Sequence, residues 1–410
     1  MSVLGDKKVT YEDGASVDAF GRLRVSNPHT LFDSKQIYDN QPLFWDESLE
    51  SGGGISAAHS AARASTIFTS TVSTAGKFTR QTFMRFNYQP GKSQLIFMTG
   101  IMNPSGGGNG VQRRIGLFDD DNGLFFEDDE GTMKVVTRSS SSGSAVDTKV
   151  ASTAWNKDQL NGDGTSGVTI DWAKTQIFFF DFEWLGVGRV RFGVVIDGQP
   201  FYVHEFNNTN SLDVVYMSTP NLPLRYQMET TGVSGASTME CICASVMSEG
   251  GVAETGILHC SSTSGTHLDA NVENTNYAVL GIRLKAAQLG ATVSLVTAAI
   301  AEHQGNNNAE WQVVFNPTIA GSPSWSDITN SAVQEFKGAT ANTLSGGSIM
   351  ASGFFASANK GGSSGEQLSN ALLLGASIAG TRDVIVLAVR PVGGSSNLDI
   401  EGSLVWRESP

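Results

Sequence analysis

The chain is expected to be all-β: a large antiparallel jelly-roll-like sandwich, then a second, smaller β-sandwich, with an extended N-terminal arm. Three observations predict this. Gly, Ser, Thr and Asn are frequent, with 46 glycines, while only 16% of residues are charged, a composition that suits a sheet protein full of turns. Runs of Ala, Leu, Glu, Lys and Arg at a 3.6-residue period, which long helices need, are nearly absent. Short stretches of apolar and polar residues in alternation, bounded by turn residues, recur along the sequence instead. A length of 410 residues exceeds what one core normally fills, so two domains are expected.

The run from Ile177 to Gly193 displays the pattern most fully. Alternation predicts Phe178, Phe180, Phe182 and Trp184 on one buried face, with Asp181 and Glu183 on the opposite face. Beyond the glycine-containing corner, Val190, Phe192, Val194 and Ile196 are expected to point one way and Arg191 the other.

Residues 1–50 lack strong alternation yet carry Phe20, Leu23, Leu31, Phe32, Tyr38, Phe44 and Trp45, too much apolar surface for a free tail. They are expected to dock on their own sandwich or on a neighbouring subunit, with Phe20, Arg22, Leu23, Leu31, Phe32 and Trp45 as the assembly residues. Ser51-Gly52-Gly53-Gly54 reads as a flexible joint. On this reading, deletion of residues 1–50 leaves folded β domains that no longer assemble.

Residues 51–251 form the expected first sandwich. Its strands are placed at 79–88, 93–102, 111–118, 123–127, 133–137, 168–170, 176–184, 189–196, 200–206, 224–230 and 237–246. Asn122-Gly123, Glu130-Gly131 and Asp197-Gly198 read as hairpin turns, since glycine accepts the positive φ of a primed turn. Residues 252–410 form the second sandwich, with strands at 277–284, 291–300, 310–316, 348–356, 383–390 and 399–407. Residues 305–308, 361–365 and 393–397 read as loop tips. A last strand so close to the C-terminus predicts that truncation there unfolds the domain.

The formal charge of −13, with no Lys/Arg cluster to offset it, disfavours nucleic acid as a partner. Cys241, Cys243 and Cys260 make an odd set without metal-ligand spacing, so Cys241 and Cys243 read as small core hydrophobes in a reducing compartment. The N-terminal residues show no basic segment followed by an apolar one, so no secretory signal is expected. No stretch approaches the ~20 apolar residues of a membrane helix.

None of the six histidines falls in a ligand spacing or beside a nucleophile elbow. His204 alternates with Val203 and Glu205 and reads as a strand residue. No catalytic residue, cofactor or metal set is assigned. The nearest to a metal set are the calcium-type donors Asp119, Asp121, Asp128 and Asp129, in two acidic hairpin ends that read first as solvated turns. Asp181 and Glu183, two carboxylates on one strand face, are the arrangement a sandwich glycosidase could use if they lined an open groove.

Five blocks carry a resemblance: Asp18 to Ser26, Thr30 to Lys35, Trp184 to Arg191, Leu222 to Tyr226, and Ser248 to Gly251. In this order they resemble a family of virion structural proteins of tailed bacteriophages. The resemblance implies a non-enzymatic particle component with a lectin-like, concanavalin-type sandwich, released by lysis and partnered by other virion proteins. Virion proteins of this build are commonly symmetric oligomers, trimers above all. Three readings stand: an exterior fibre- or baseplate-associated protein facing the host surface and its glycans, a capsid decoration or head-fibre protein, or a sandwich that binds or cleaves polysaccharide.

Overall fold

The computed structural model describes residues 17–21, 23–24, 27–71, 74–103, 110–232, 236–253, 255–303, 307–355, 361–363, 373–395 and 397–409. Among them the regular structure is antiparallel β-sheet with two 3₁₀ turns, so the all-β expectation holds. Among the described residues no helix is long and apolar enough to cross a membrane. The chain forms two compact units, Met1–Thr82 with Tyr88–Ala253, and Phe83–Asn87 with Glu254–Pro410.

The first unit opens with β1 (His29–Lys35), β2 (Trp45–Gly52), β3 (Ile55–Ser60), β4 (Ser65–Ser70), β5 (Ala75–Thr82), β6 (Ser93–Ile101), β7 (Val111–Phe118) and β8 (Gly123–Asp129). It continues with β9 (Thr132–Ser139), β10 (Val146–Ala151), β11 (Gln176–Phe182), β12 (Val190–Ile196), β13 (Gln199–Phe206), β14 (Leu224–Thr231) and β15 (Ser237–Glu249). One sheet runs β13-β12-β11-β6-β15-β4-β3, with β1 also paired to β15, and the other runs β10-β9-β8-β7-β14-β5-β2. Their inner faces meet through aromatic pairs: Phe126 of β8 lies 5.0 Å from Phe178 and 5.3 Å from Phe192, and Phe68 lies 4.9 Å from Phe78. Such pairs add to the burial free energy that holds a sandwich together.

The boundary expected at residue 50 falls inside β2, which pairs β5, while β1 pairs β15. Residues 29–52 are therefore strands of the sandwich and not a separate arm, and the expected joint at 51–54 is a tight strand-to-strand passage. A Cβ on Gly54 would lie 2.1 Å from the Thr74 carbonyl oxygen, so the chain passes there only without a side chain. The strand expected at 168–170 is a single bridge from Asn161 to Thr169, and the one expected at 79–88 stops at Thr82. At the β7–β8 connection Asn122 is not in the left-handed region, whereas Glu130-Gly131 and Asp197-Gly198 are, with φ of 53° and 91°, and 50° and 78°.

The second unit contains β16 (Ile257–Ser262), β17 (Leu268–Ala270), β18 (Tyr277–Leu284), β19 (Thr292–Glu302), β20 (Asn308–Phe315), β21 (Thr318–Ile319) and β22 (Ser326–Asp327). After these come β23 (Val333–Lys337), β24 (Leu344–Ser345), β25 (Ser348–Phe355), β26 (Gly361–Ser363), β27 (Val384–Val392) and β28 (Leu398–Ser409). Its sheets run β16-β28-β19-β26, with β17 also on β28, and β22-β23-β18-β27-β20-β25. Gly361–Ser363, expected in a loop tip, pairs with β19, and the remainder of that tip, like residues 305–306 and Ser396 of the other two, lies outside the described residues.

Strand β28 is the spine of its sheet, because it pairs β16 and β17 on one edge and β19 on the other. Trp406 on it is fully buried, with its indole N–H donating to Glu408 Oε1 at 2.8 Å. Replacing a buried tryptophan by alanine removes its contacts and leaves a cavity. Trp406→Ala should cost about 3–5 kcal/mol in urea unfolding, and truncation before Leu398 should abolish the cooperative transition of the second unit.

Candidate functional site

The outer face of β11 is where the sequence pattern promised a pair of accessible carboxylates. Phe178, Phe180 and Phe182 do fill the core, but Phe179 and Asp181 on the opposite face are also buried, at 1% and 0% exposure. Phe179 packs against Leu95 and Tyr202, and its ring covers Gly193, where a Cβ would lie 2.4 Å from the ring. Asp181 accepts from Arg191 Nε at 2.8 Å and Nη2 at 2.6 Å, from Tyr202 Oη at 2.7 Å, and from Arg24 Nη2. Arg24 also donates through Nε to Glu249 at 2.5 Å. The Arg191 guanidinium lies 4.3 Å from the Tyr202 ring centroid.

Two guanidiniums and two carboxylates thus share one pocket of low dielectric, and the chain that closes it is the segment 17–24. Arg191 Nη2 donates to the Val17 carbonyl at 2.8 Å and Arg189 Nε to the Ala19 carbonyl at 3.0 Å. Val17, Asp18 and Ala19 are buried, and Val17 bridges Leu23, so the segment loops back on itself over the sheet. Burial, the largest single effect, would lower the pKa of Arg24 and Arg191, but the Asp181 charge together with Tyr202 and the hydrogen bonds to the carboxylates outweighs it and holds both above the ordinary arginine value. Burial, reinforced by Asp181, pushes the Tyr202 phenol up, and burial also raises Glu249 despite Arg24. Glu183 is half-buried and accepts the Arg189 backbone N–H at 3.1 Å. The condition for the glycosidase alternative, an open groove lined by Asp181 and Glu183, is not met: Asp181 is fully buried and engaged by Arg191, Tyr202 and Arg24.

The expected assembly residues separate in the structure. Phe32 and Trp45 are core residues at 7% and 3% exposure, packed edge-on at 6.0 Å, with Arg80 above the Trp45 ring at 4.8 Å. Phe20 and Leu31 are half-buried, Leu23 is exposed, and Arg22 lies outside the described residues. Deleting residues 1–50 would thus remove two strands and the Asp181 counter-ion rather than a detachable anchor.

The calcium-type donors do not converge either. Asp119 Oδ1 accepts the backbone N–H groups of Asp121 and Asn122 at 2.9 and 2.8 Å. Asp128 forms a buried ion pair with Arg113 at 2.5 Å, and Asp129 accepts from Gln112 at 2.8 Å and from Lys134. The two groups sit at opposite ends of β8, whose length at ~3.3 Å per residue puts them roughly 20 Å apart. The cysteines are free thiols, and burial raises Cys241 well above the usual thiol range. His204 accepts the Asn156 backbone N–H on Nδ1 at 3.2 Å, and burial, opposed by Glu205, pushes it down to about 4.

One feature had no signal in the sequence: a polar ladder on the outer face of the seven-stranded sheet. Lys149 of β10 holds both oxygens of Glu127 on β8, at 2.9 and 2.7 Å. Arg114 on β7 donates to Glu127 at 2.8 Å and to Gln227 on β14 at 2.7 Å, and Gln227 donates to Thr79 on β5 at 3.0 Å. Residues from strands as far apart as positions 79 and 227 meet here only because the sheet order brings β5, β14, β7 and β8 side by side. The ladder is hydrogen-bonded along its length, its members from Glu127 to Thr79 are buried, and Glu127 is held by two cations.

No family model and no curated protein matches the chain. Similar solved structures include a glycoside hydrolase family 16 endo-glucanase from Bacteroides ovatus, at 10% identity and a TM-score of 0.34, over 53% of this chain and 99% of that one. Another is the carbohydrate recognition domain of Emp47p, at 10% identity and TM-score 0.34, over 56% and 99% of the two chains. A third is the CBM2 module of the evolved Dit of Lactobacillus casei BL23 phage J-1, at 8% identity and TM-score 0.35, over 54% and 95%. Likenesses this slight carry no argument about function.

Asp181→Ala should destabilise the first unit by about 3–5 kcal/mol in denaturant melts, since it leaves buried guanidiniums uncompensated. Glu183→Gln, which keeps an acceptor for the Arg189 N–H, should cost under about 1 kcal/mol. The unfolded chain protonates His204 near the ordinary 6.5 and the folded chain only near about 4, so its contribution is complete above pH 6.5 and lost as pH falls toward 4. His204→Gln should flatten the decline of the urea midpoint measured over that window.

Proposed function

We propose that the chain is a non-enzymatic structural component of a tailed-phage virion, exterior and fibre- or baseplate-associated, acting as a homo-oligomer. One observation carries this reading. Three of the blocks on which the resemblance rests supply partners of Asp181 and its segment: Arg24 from the first, Arg191 and, bonded to the Ala19 carbonyl, Arg189 from the third, and Glu249 from the last. Catalytic residues would converge on an open cleft; these converge on a buried staple that holds the N-terminal segment on the sheet. The motifs are thus spent on architecture, which is what a particle component requires.

Assembly is further supported by the edges of the second unit. Strand β16 ends one sheet with Ile257 and Leu258 exposed at 68% and 57%, and β25 ends the other with Ile349 and Phe354 at 58% and 71%. Edge strands of a chain that works alone are normally blunted by charge or proline, whereas apolar edges suit burial by a neighbouring subunit.

A glycan-binding reading has one observation in its favour, a cavity of about 270 Å³ lined by Ser262, Thr263, Ser264, Ser403 and Glu401 among others. No aromatic ring lines it to stack on a sugar face, which counts against that reading.

Immunogold labelling of intact particles, with antibody to residues 255–410, tests the proposal. Gold at the tail end is the expected outcome, gold over the head would favour the decoration reading, and particles without label would overturn both. In sedimentation equilibrium the purified chain should run as a trimer, and Phe354→Asp should shift it toward monomer.

A further inference from the structure

The second unit gathers metal-ligating side chains at a spot that none of the arguments above uses. Leu268 of β17 is buried at 3%, so strand alternation turns its neighbours His267 and Asp269 outward. Asp269 stands directly opposite Asp399 of β28 in the ladder. On the other side of β28, His303, just past β19, donates its backbone N–H to the Asp399 carbonyl at 2.6 Å. One ligand atom from each of His267, Asp269 and Asp399 lies within 4.8 Å of the other two. The His267 and His303 rings stack in parallel, with centroids 5.7 Å apart and planes at 4°.

Two carboxylates facing each other across neighbouring strands repel. Among the described residues neither Asp269 nor Asp399 has a lysine or arginine ion pair; the contact Asp269 makes is to His267 Nε2, at 3.4 Å. A divalent cation would convert that repulsion into a bridge between β17 and β28. The donor set, one imidazole nitrogen with two carboxylates, suits a borderline cation such as zinc, whereas calcium and magnesium take oxygen donors throughout. Ligands around tetrahedral zinc sit roughly 3.3–3.5 Å apart, a contraction that the exposed His267 and Asp269 reach by side-chain rotation.

We propose that His267, Asp269 and Asp399 bind a divalent cation of the zinc class, with His303 stacked on His267 to fix the plane of its ring. Three protein ligands leave a coordination position open to water or to an exchangeable donor.

Isothermal titration of zinc chloride into the untagged full chain tests this, in a Cys260→Ser background so that the exposed thiol does not compete. One saturable site per chain is expected, weakened about tenfold or more in His267→Ala and in Asp399→Asn. His303→Ala should weaken it less, and calcium should bind at least about tenfold more weakly than zinc. His267 is exposed and Asp399 half-buried, and far-UV circular dichroism verifies that both variants fold. Absence of saturable zinc binding, equal affinity for calcium, or unchanged binding in both variants would overturn the proposal.

Discussion

A carboxylate at 0% exposure in the middle of a sheet must be neutralised where it stands, and Asp181 sets that demand for the whole first unit. Arg191 on the next strand meets part of it, but Arg24 comes from a segment more than 150 positions away and completes it. The outer face of β11 is therefore not a surface. It is an interior with a polar centre, and the N-terminal segment lies on it because the charges leave it no equally good alternative. Buried ion clusters rarely add much net stability compared with apolar packing, but breaking one is costly, so they specify which segment goes where.

The other sheet solves a similar problem differently. Its outer ladder, from Lys149 through Glu127, Arg114 and Gln227 to Thr79, links neighbouring strands of one sheet, with Lys149 reaching across β9 to Glu127. No distant segment is required, and its order follows from strand pairing alone. One face of the sandwich is thus closed by a long-range contact, the other by a lateral network.

Much of the architecture was legible in the sequence. Val111–Phe118 and Tyr277–Leu284 form strands with the expected bounds, because each is an eight-residue run rich in β-branched and large apolar residues. Among the strands that escaped notice were Ile55–Ser60, Ser65–Ser70 and Val146–Ala151, which carry few large apolar residues and owe their conformation to a neighbour's hydrogen bonds. The error at Asp181 had another source. Alternation reports which side chains share a face, and it is silent on whether that face meets water or a remote piece of chain. The histidine and two aspartates beside β17 were equally invisible, since Asp399 reaches His267 only through the pairing of β17 with β28.

Strand pairing also decides how each unit bears mechanical load. In the first unit His29, where the chain enters β1, faces Ser248 near the end of β15, and in the second Ile257 faces Glu408. In both, the entering and leaving strands are antiparallel partners whose outer ends lie together, so tension between those ends peels the ladder one rung at a time instead of shearing all rungs at once. The first unit has a tether ahead of that weak point. Tension arriving from the N-terminal side must first detach Arg24 from Asp181 and Glu249, so the buried cluster acts as a strain relief, keeping force off the β1–β15 seam until the charges let go.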